Sequence, residues 1–60
     1  MSNFTLNIQT DNAAFQDDGP SVEVVRILRE LADKIERTGA DDYSLIDING
    51  NRVGSANFGE

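Results

Sequence analysis

The stretch "DDYSLIDINGNRVGSANF" (residues 41–58) predicts a strand, a tight turn and a second strand. An Asn-Gly pair between two alternating segments is the strongest short-range signal for a β-hairpin, and here it stands at Asn49-Gly50. Two registers are compatible with this signal. A two-residue turn at Asn49-Gly50 would pair Val53 with Ile46. A three-residue turn would pair Val53 with Leu45 instead.

We favour the three-residue turn. In this turn Gly50 takes a left-handed conformation and Asp47 pairs with Asn51, so that the Asp47 carboxylate can accept hydrogen bonds from backbone N–H groups of the turn. Leu45 and Val53 then share one face of the hairpin, where both can be buried.

The same residues also suggest a calcium loop of the EF-hand kind, because Asp47, Asn49 and Asn51 stand at its first, third and fifth positions. The sixth position of such a loop requires Gly and the twelfth requires Glu. Here those positions are Arg52 and Phe58. The motif therefore fails, and we predict a turn without a metal ion or another cofactor.

The segment before the hairpin predicts one strand and one loop. Residues 3–10, "NFTLNIQT", alternate between apolar and polar, which is typical of a half-buried strand with Phe4, Leu6 and Ile8 on its inner face. Residues 10–21 are polar and contain Gly and Pro, so they predict a loop. Phe15 is the large apolar residue of this loop and is expected to plug the edge of the core.

A helix is predicted from Pro20 to Thr38. Proline suits the first helical turn, Asp18 or Ser21 can cap it, and Gly39 is expected to end the helix in a left-handed conformation. Apolar residues recur at three- and four-residue spacing and predict a face that packs on the sheet. Its members are Val24, Val25, Leu28, Leu31, Ala32 and Ile35.

These elements predict an α+β fold of order β-α-β-β in a single small domain, residues 1–60. One helix packs on a three-stranded, mainly antiparallel sheet of order 1-3-2, because the crossover helix makes the first two strands run alike and the third pairs antiparallel with both. The predicted core is Phe4, Leu6, Ile8, Leu28, Leu31, Ala32, Ile35, Leu45 and Val53.

Composition limits the function. The 60 residues contain neither Cys nor His, which removes disulfides, the usual zinc ligands and the usual general base, and we predict that the chain is not an enzyme. Eleven acidic residues against five basic ones give a net charge of −6, which argues against general binding to nucleic acid or to an anionic membrane. No apolar run is long enough to span a membrane, and "MSNFTLNIQTDN" is unlike a signal peptide.

A chain this short gains little net stability from its own core, because ordering costs about 1.5 kcal/mol per residue. We therefore expect a homo-oligomer. The surface predicted to associate is the sheet face opposite the helix, which would carry Ile46, Gly54, Ala56 and Phe58. Val22 and Ile27, on the flanks of the helix, offer a second apolar patch for association. At the seam between two chains, Arg29 and Arg52 could converge on a phosphate group and bind a small anion.

Three segments together resemble a group of short proteins encoded in tailed-phage genomes. These are "DNAAF" (residues 11–15), the helix "LRELADKI" (residues 28–35) and "LIDINGNRVG" (residues 45–54). They match an Asp-Asn-Ala-Ala-Phe-like loop, an amphipathic helix and a C-terminal L-x-D-x-N-G-N-x-V-G hairpin. The resemblance covers most of the chain. It implies an accessory phage gene whose product acts in the host bacterial cytoplasm, and it identifies no binding residues.

Three functions remain open. The first is a non-enzymatic interaction module that binds or inhibits a bacterial host protein, such as one that serves in defence. The second is a homo-oligomeric sponge for a nucleotide-like anion, with Arg29 and Arg52 at the seam. The third is a structural or assembly protein. A thermal-shift screen with nucleotides separates the first two, because a ligand at 100 times its dissociation constant adds about 2.7 kcal/mol.

Overall fold

The computed structural model describes residues 2–17 and 19–59. Strand β1 (Asn3–Ile8) is followed by a short helix α1 (Ala13–Asp17) and a long helix α2 (Pro20–Thr38). Strands β2 (Asp42–Ile46) and β3 (Arg52–Gly59) form the C-terminal hairpin. The three strands make one antiparallel sheet of order β1-β3-β2, which confirms the predicted α+β architecture and strand order.

The turn of the hairpin has the predicted three-residue geometry. The Asp47 N–H donates to the Asn51 carbonyl (2.8 Å), and the Gly50 N–H donates to the Asp47 carbonyl (3.0 Å). Gly50 has a φ of 88°, which is the positive backbone angle that this turn requires. Ile46 pairs with Arg52 beyond the turn, as expected for this register.

The register changes one residue further from the turn, and there the prediction was wrong. Leu45 pairs with Gly54 rather than with Val53, because Val53 is an additional residue that forms a β-bulge. The bulge reverses the orientation of the rest of β3. Ala56 pairs with both Leu6 and Tyr43, and Phe58 pairs with Phe4, so these residues share the sheet face that packs on the helices.

Part of the predicted loop is a helix. Helix α1 buries Ala14 and Phe15, and Phe15 is fully buried at the centre of the core. Phe15 therefore fills the interior, whereas the sequence predicted a plug at the edge. The Phe15 N–H donates to the carbonyl of Asn12 (3.0 Å), which begins the helix.

The ends of α2 agree with the prediction in part. Pro20 opens the helix and Gly39 closes it, with a φ of 62° and its N–H bonded to the Ile35 carbonyl. Gly39 is therefore the predicted left-handed C-cap. Ser21 lies inside the helix and does not cap it, and Asp18 lies outside the described residues.

Helix α2 is rolled away from the predicted orientation. Ile27 and Leu31 are buried against the sheet, whereas Leu28 and Ala32, both predicted core residues, are exposed. Phe4 is also exposed. The observed core consists of Ala14, Phe15, Ile27, Leu31, Tyr43, Leu45, Val53 and Ala56, and the partly buried residues packed against it are Leu6, Ile8, Val24 and Ile35.

Within the described part of the chain, neither helix is sufficiently long and apolar to cross a lipid bilayer.

Candidate interaction surface

A buried carboxylate organises the hairpin turn. Asp47 is 3% exposed. Its Oδ1 accepts hydrogen bonds from the N–H groups of Asn49 (2.9 Å) and Asn51 (2.8 Å), and its Oδ2 accepts from the side-chain amides of Asn12 (3.1 Å) and Asn51 (3.3 Å). Burial by itself would raise the pKa of Asp47, but these hydrogen bonds outweigh it and lower the pKa.

A second buried carboxylate joins the turn to α2. Glu23 Oε2 accepts a hydrogen bond from the Ile48 N–H (2.8 Å). The Arg26 guanidinium donates to both Glu23 oxygens (2.8 Å each), to Glu30, and to the Ile46 carbonyl (3.0 Å). The hydrogen bond from Arg26 lowers the pKa of Glu23, and the same contact raises the pKa of Arg26.

These contacts explain the roll of the helix. A carboxylate at position 23 must point toward the turn to receive the Ile48 N–H, and Arg26 must lie beside the β2 edge to reach the Ile46 carbonyl. Positions 27 and 31 follow position 23 at four-residue spacing, so they are directed at the sheet. The network therefore has a structural role, since its oxygens and guanidinium nitrogens are directed at groups of the chain itself.

The other flank of α2 is apolar and open. Val25, Leu28, Ala32 and Ile35 form a stripe at three- and four-residue spacing. The opposite flank, at Glu30 and Lys34, adjoins residues of β2. The stripe therefore lies on the flank of α2 away from β2. Val25 is 47% exposed and Leu28 is 41% exposed.

Two aromatic rings extend this apolar stripe onto the sheet. Phe4 and Phe58 pack with their ring centroids 4.7 Å apart, yet they remain 46% and 47% exposed. Together with Ile35 they line an open depression at the end of the sheet, bounded by Gly39 and Asp41. We call the stripe and the two rings the open flank, comprising Phe4, Val25, Leu28, Ala32, Ile35 and Phe58.

The residues predicted to form a self-association surface do not share one face. Ala56 is buried in the core, and Phe58 lies on the helix side against Phe4. Gly54 lies against β1 of its own chain, where a Cβ atom would overlap the backbone oxygen of Asn7. Ile46 is exposed at the β2 edge. The bulge at Val53 is the reason, because it reverses the faces of the residues that follow it.

The two predicted anion-binding arginines lie on different layers of one chain. Arg29 is exposed on α2 and does not belong to the face that packs on the sheet. Arg52 lies on the sheet face away from the helices, in a shallow depression with Asn7, Gln9 and Ser55. The two guanidinium groups do not converge within one chain. Among the described residues, no group of three or more acidic side chains is placed to hold a metal ion.

Sequence reasoning missed the open flank because the helix has a wide apolar arc. Only part of such an arc can face a three-stranded sheet, and Glu23 and Arg26 decide which part. A signal for this choice was present in the sequence, since Glu23, Ile27 and Leu31 follow one another at four-residue spacing. Interpreting it required the turn N–H groups, which are distant in the chain.

Comparison of the chain with protein-family models, with curated proteins and with solved structures finds no match in any of the three.

Proposed function

We propose that the chain is a non-enzymatic interaction module that binds an amphipathic, basic segment of another protein along the open flank. The observation that carries this proposal is the open depression where Ile35 lies beside the exposed rings of Phe4 and Phe58. Val25 and Leu28, which are also two-fifths or more exposed, stand on the same flank of α2 as Ile35. Exposed apolar residues that lie together mark interaction sites more often than scattered ones do. An amphipathic helix can lay its apolar face along such a surface.

Charge determines the kind of partner. The chain carries a net charge of −6, and the half-buried Arg26 is already paired with Glu23. Asp41 lies at the end of the open flank, and Glu36 is exposed on α2 beside the stripe. A partner segment with apolar residues on one face and Lys or Arg on its borders would complement this surface.

The resemblance to tailed-phage accessory proteins supplies the setting of the proposal. The partner is then a bacterial host protein, and binding occurs in the host cytoplasm. Inhibition of a defence protein is one form that such binding takes, because covering a functional surface of the partner is sufficient to inhibit it.

The test uses two synthetic amphipathic peptides of the same apolar pattern, one bordered by Lys and one bordered by Glu. Titration of isotope-labelled protein, followed by NMR, should move the amide signals of Leu28, Ile35 and Phe58 with the Lys peptide. The Glu peptide should leave those signals unchanged.

Two matched variants distinguish apolar binding at the open flank from simple charge attraction. Leu28→Glu and Gln16→Glu each add one negative charge at an exposed helical position. Simple charge attraction would strengthen binding of the Lys peptide to both variants. If the apolar face of the peptide binds the open flank, the affinity of Leu28→Glu for the Lys peptide should fall by at least about tenfold, whereas Gln16→Glu should keep its affinity. Equal or stronger binding to Leu28→Glu contradicts the proposal.

A further inference from the structure

The two edges of the sheet are protected differently. At the β2 edge, Arg26 of α2 donates to the Ile46 carbonyl, and the strand begins with the acidic residue Asp42. Strand β1 is the other edge and pairs only with β3 in the described chain. It contains no charged residue and no proline, and its pairing with β3 is regular along its whole length. Natural edge strands usually carry at least one such protection.

The alternation of an antiparallel ladder shows which backbone groups of β1 face outward. The Gln9 N–H donates to the Val53 carbonyl (2.8 Å), so odd-numbered residues of this segment bond to β3. The N–H and C=O groups of Phe4, Leu6 and Ile8 are therefore directed away from β3, toward the open edge. Three evenly spaced residues with outward donors and acceptors form a template for another strand.

We propose that β1 pairs with β1 of a second copy of this chain, antiparallel across a two-fold axis, to form a continuous six-stranded sheet. One register uses all three outward residues. It places Leu6 opposite its own copy, Phe4 opposite Ile8 of the second copy, and Thr5 opposite Asn7 of the second copy. About six backbone hydrogen bonds form, because each of the three hydrogen-bonded pairs makes two.

The charge distribution favours a second copy as the occupant of this edge. Two chains with a net charge of −6 repel each other unless their charges are kept apart. No residue from Ser2 to Thr10 is charged, so the seam brings no like charges together. Apolar side chains of β1 meet apolar ones on the helix side, and Thr5 meets Asn7 on the other side. Phe4 belongs both to this seam and to the open flank, so the two proposals are tested at different residues. Peptide binding is followed at Leu28 and Ile35 of α2, and pairing of β1 is followed at the amides of Leu6 and Ile8.

The experiment compares two double variants that alter only the outer face of β1, where Thr5 and Asn7 are exposed. Thr5→Lys with Asn7→Lys places lysine opposite lysine at two points of the proposed seam. Thr5→Lys with Asn7→Glu places lysine opposite glutamate at the same points. We expect the first to weaken dimerisation by about tenfold and the second to keep it, because like charges directly opposite each other destabilise a strand pair whereas opposite charges stabilise it.

Sedimentation velocity over a range of protein concentration measures the association, and hydrogen exchange locates it. The native chain should change from 6.6 kDa toward twice that mass as its concentration rises. The amides of Phe4, Leu6 and Ile8 should become protected in the same range, whereas those of Thr5 and Asn7 are protected throughout. A monomer at about 100 µM overturns the proposal, as does a dimer in which those three amides stay unprotected or both double variants behave alike.

Discussion

Two glycines of the hairpin are required for different physical reasons. Gly50 has a positive φ and open space around it, so only backbone strain opposes a side chain there. Gly54 lies against the backbone of Asn7 in the neighbouring strand, so a side chain there is opposed by steric overlap. Its presence in a strand interior is thereby explained by close approach of the chain's own backbone.

We expect Gly54→Ala to destabilise the fold by about 1–3 kcal/mol, because β1 would have to move away from β3. Gly50→Val should cost a similar amount through strain, whereas Gly50→Asn should cost less because Asn tolerates left-handed conformations. Urea unfolding followed by circular dichroism measures all three. A mild Gly54→Ala variant would show that β1 is not held as closely as the structure places it.

The turn residues themselves predict two mild outcomes. Ile48 is 68% exposed, and its contact with Glu23 is made by its backbone N–H, so Ile48→Ser should change the free energy of unfolding by less than about 0.5 kcal/mol.

Calcium titrated into metal-free protein should leave the melting temperature unchanged, because four donors already occupy the Asp47 oxygens. A saturable shift at low calcium concentration would contradict this account of the turn.

At the scale of elements, the rotation of α2 about its own axis decides which of its apolar residues are exposed. Ile27 is buried and Leu28, the next residue, is two-fifths exposed, although the two are similar in size and apolarity. The rotation of 100° per residue along a helix separates their environments. The polar contacts of Glu23 and Arg26 with the hairpin select this orientation.

The rotation of α2 about its axis can be tested by replacing Ile27 and Leu28, one at a time, by alanine. Ile27→Ala should cost about 2–4 kcal/mol because it leaves a cavity between α2 and the sheet. Leu28→Ala should cost less than about 1 kcal/mol, since its side chain is partly in water already. Denaturant unfolding of both variants gives the comparison. If Leu28→Ala is the more costly of the two, α2 is rolled toward the orientation predicted from its sequence.

At the scale of the whole molecule, the buried carboxylates link stability to pH. The pKa of Glu23 is lowered from its ordinary value of 4.5, and the pKa of Asp47 from 3.8. In both cases the folded state holds the proton less tightly than the unfolded state does. Their contribution is therefore present above the unfolded pKa values and is lost as the pH falls below about 4.5 through the lowered folded values.

Near neutral pH, Glu23 and Asp47 should cause no change of the melting temperature with pH. Below about pH 4.5 the melting temperature should fall as the pH is lowered. Asp47→Asn removes one titrating group and keeps an oxygen for the N–H groups of Asn49 and Asn51, so its melting temperature should be lower at neutral pH and fall less steeply in acid. Thermal melts by circular dichroism across that range provide the measurement. An equally steep fall in the variant would exclude Asp47 as a source of the acid sensitivity.

The sequence by itself determined the features that depend on neighbouring residues. Alternation in residues 3–10 predicted β1, Asn49-Gly50 predicted the turn, and Gly39 predicted the end of α2. The strand order followed from these elements, because a helical crossover and a hairpin leave few ways to join three short strands.

Only the tertiary structure decided the features that depend on distant contacts. The bulge at Val53 lets Gly54 fit against Asn7, some 47 residues earlier in the chain, and Phe15 is buried because α1 folds onto a core made by later elements. The open flank exists because Glu23 and Arg26 contact the hairpin 20 or more positions away. Periodicity predicts an apolar arc, but which part of the arc is buried depends on hydrogen-bond partners that form only when the chain has folded.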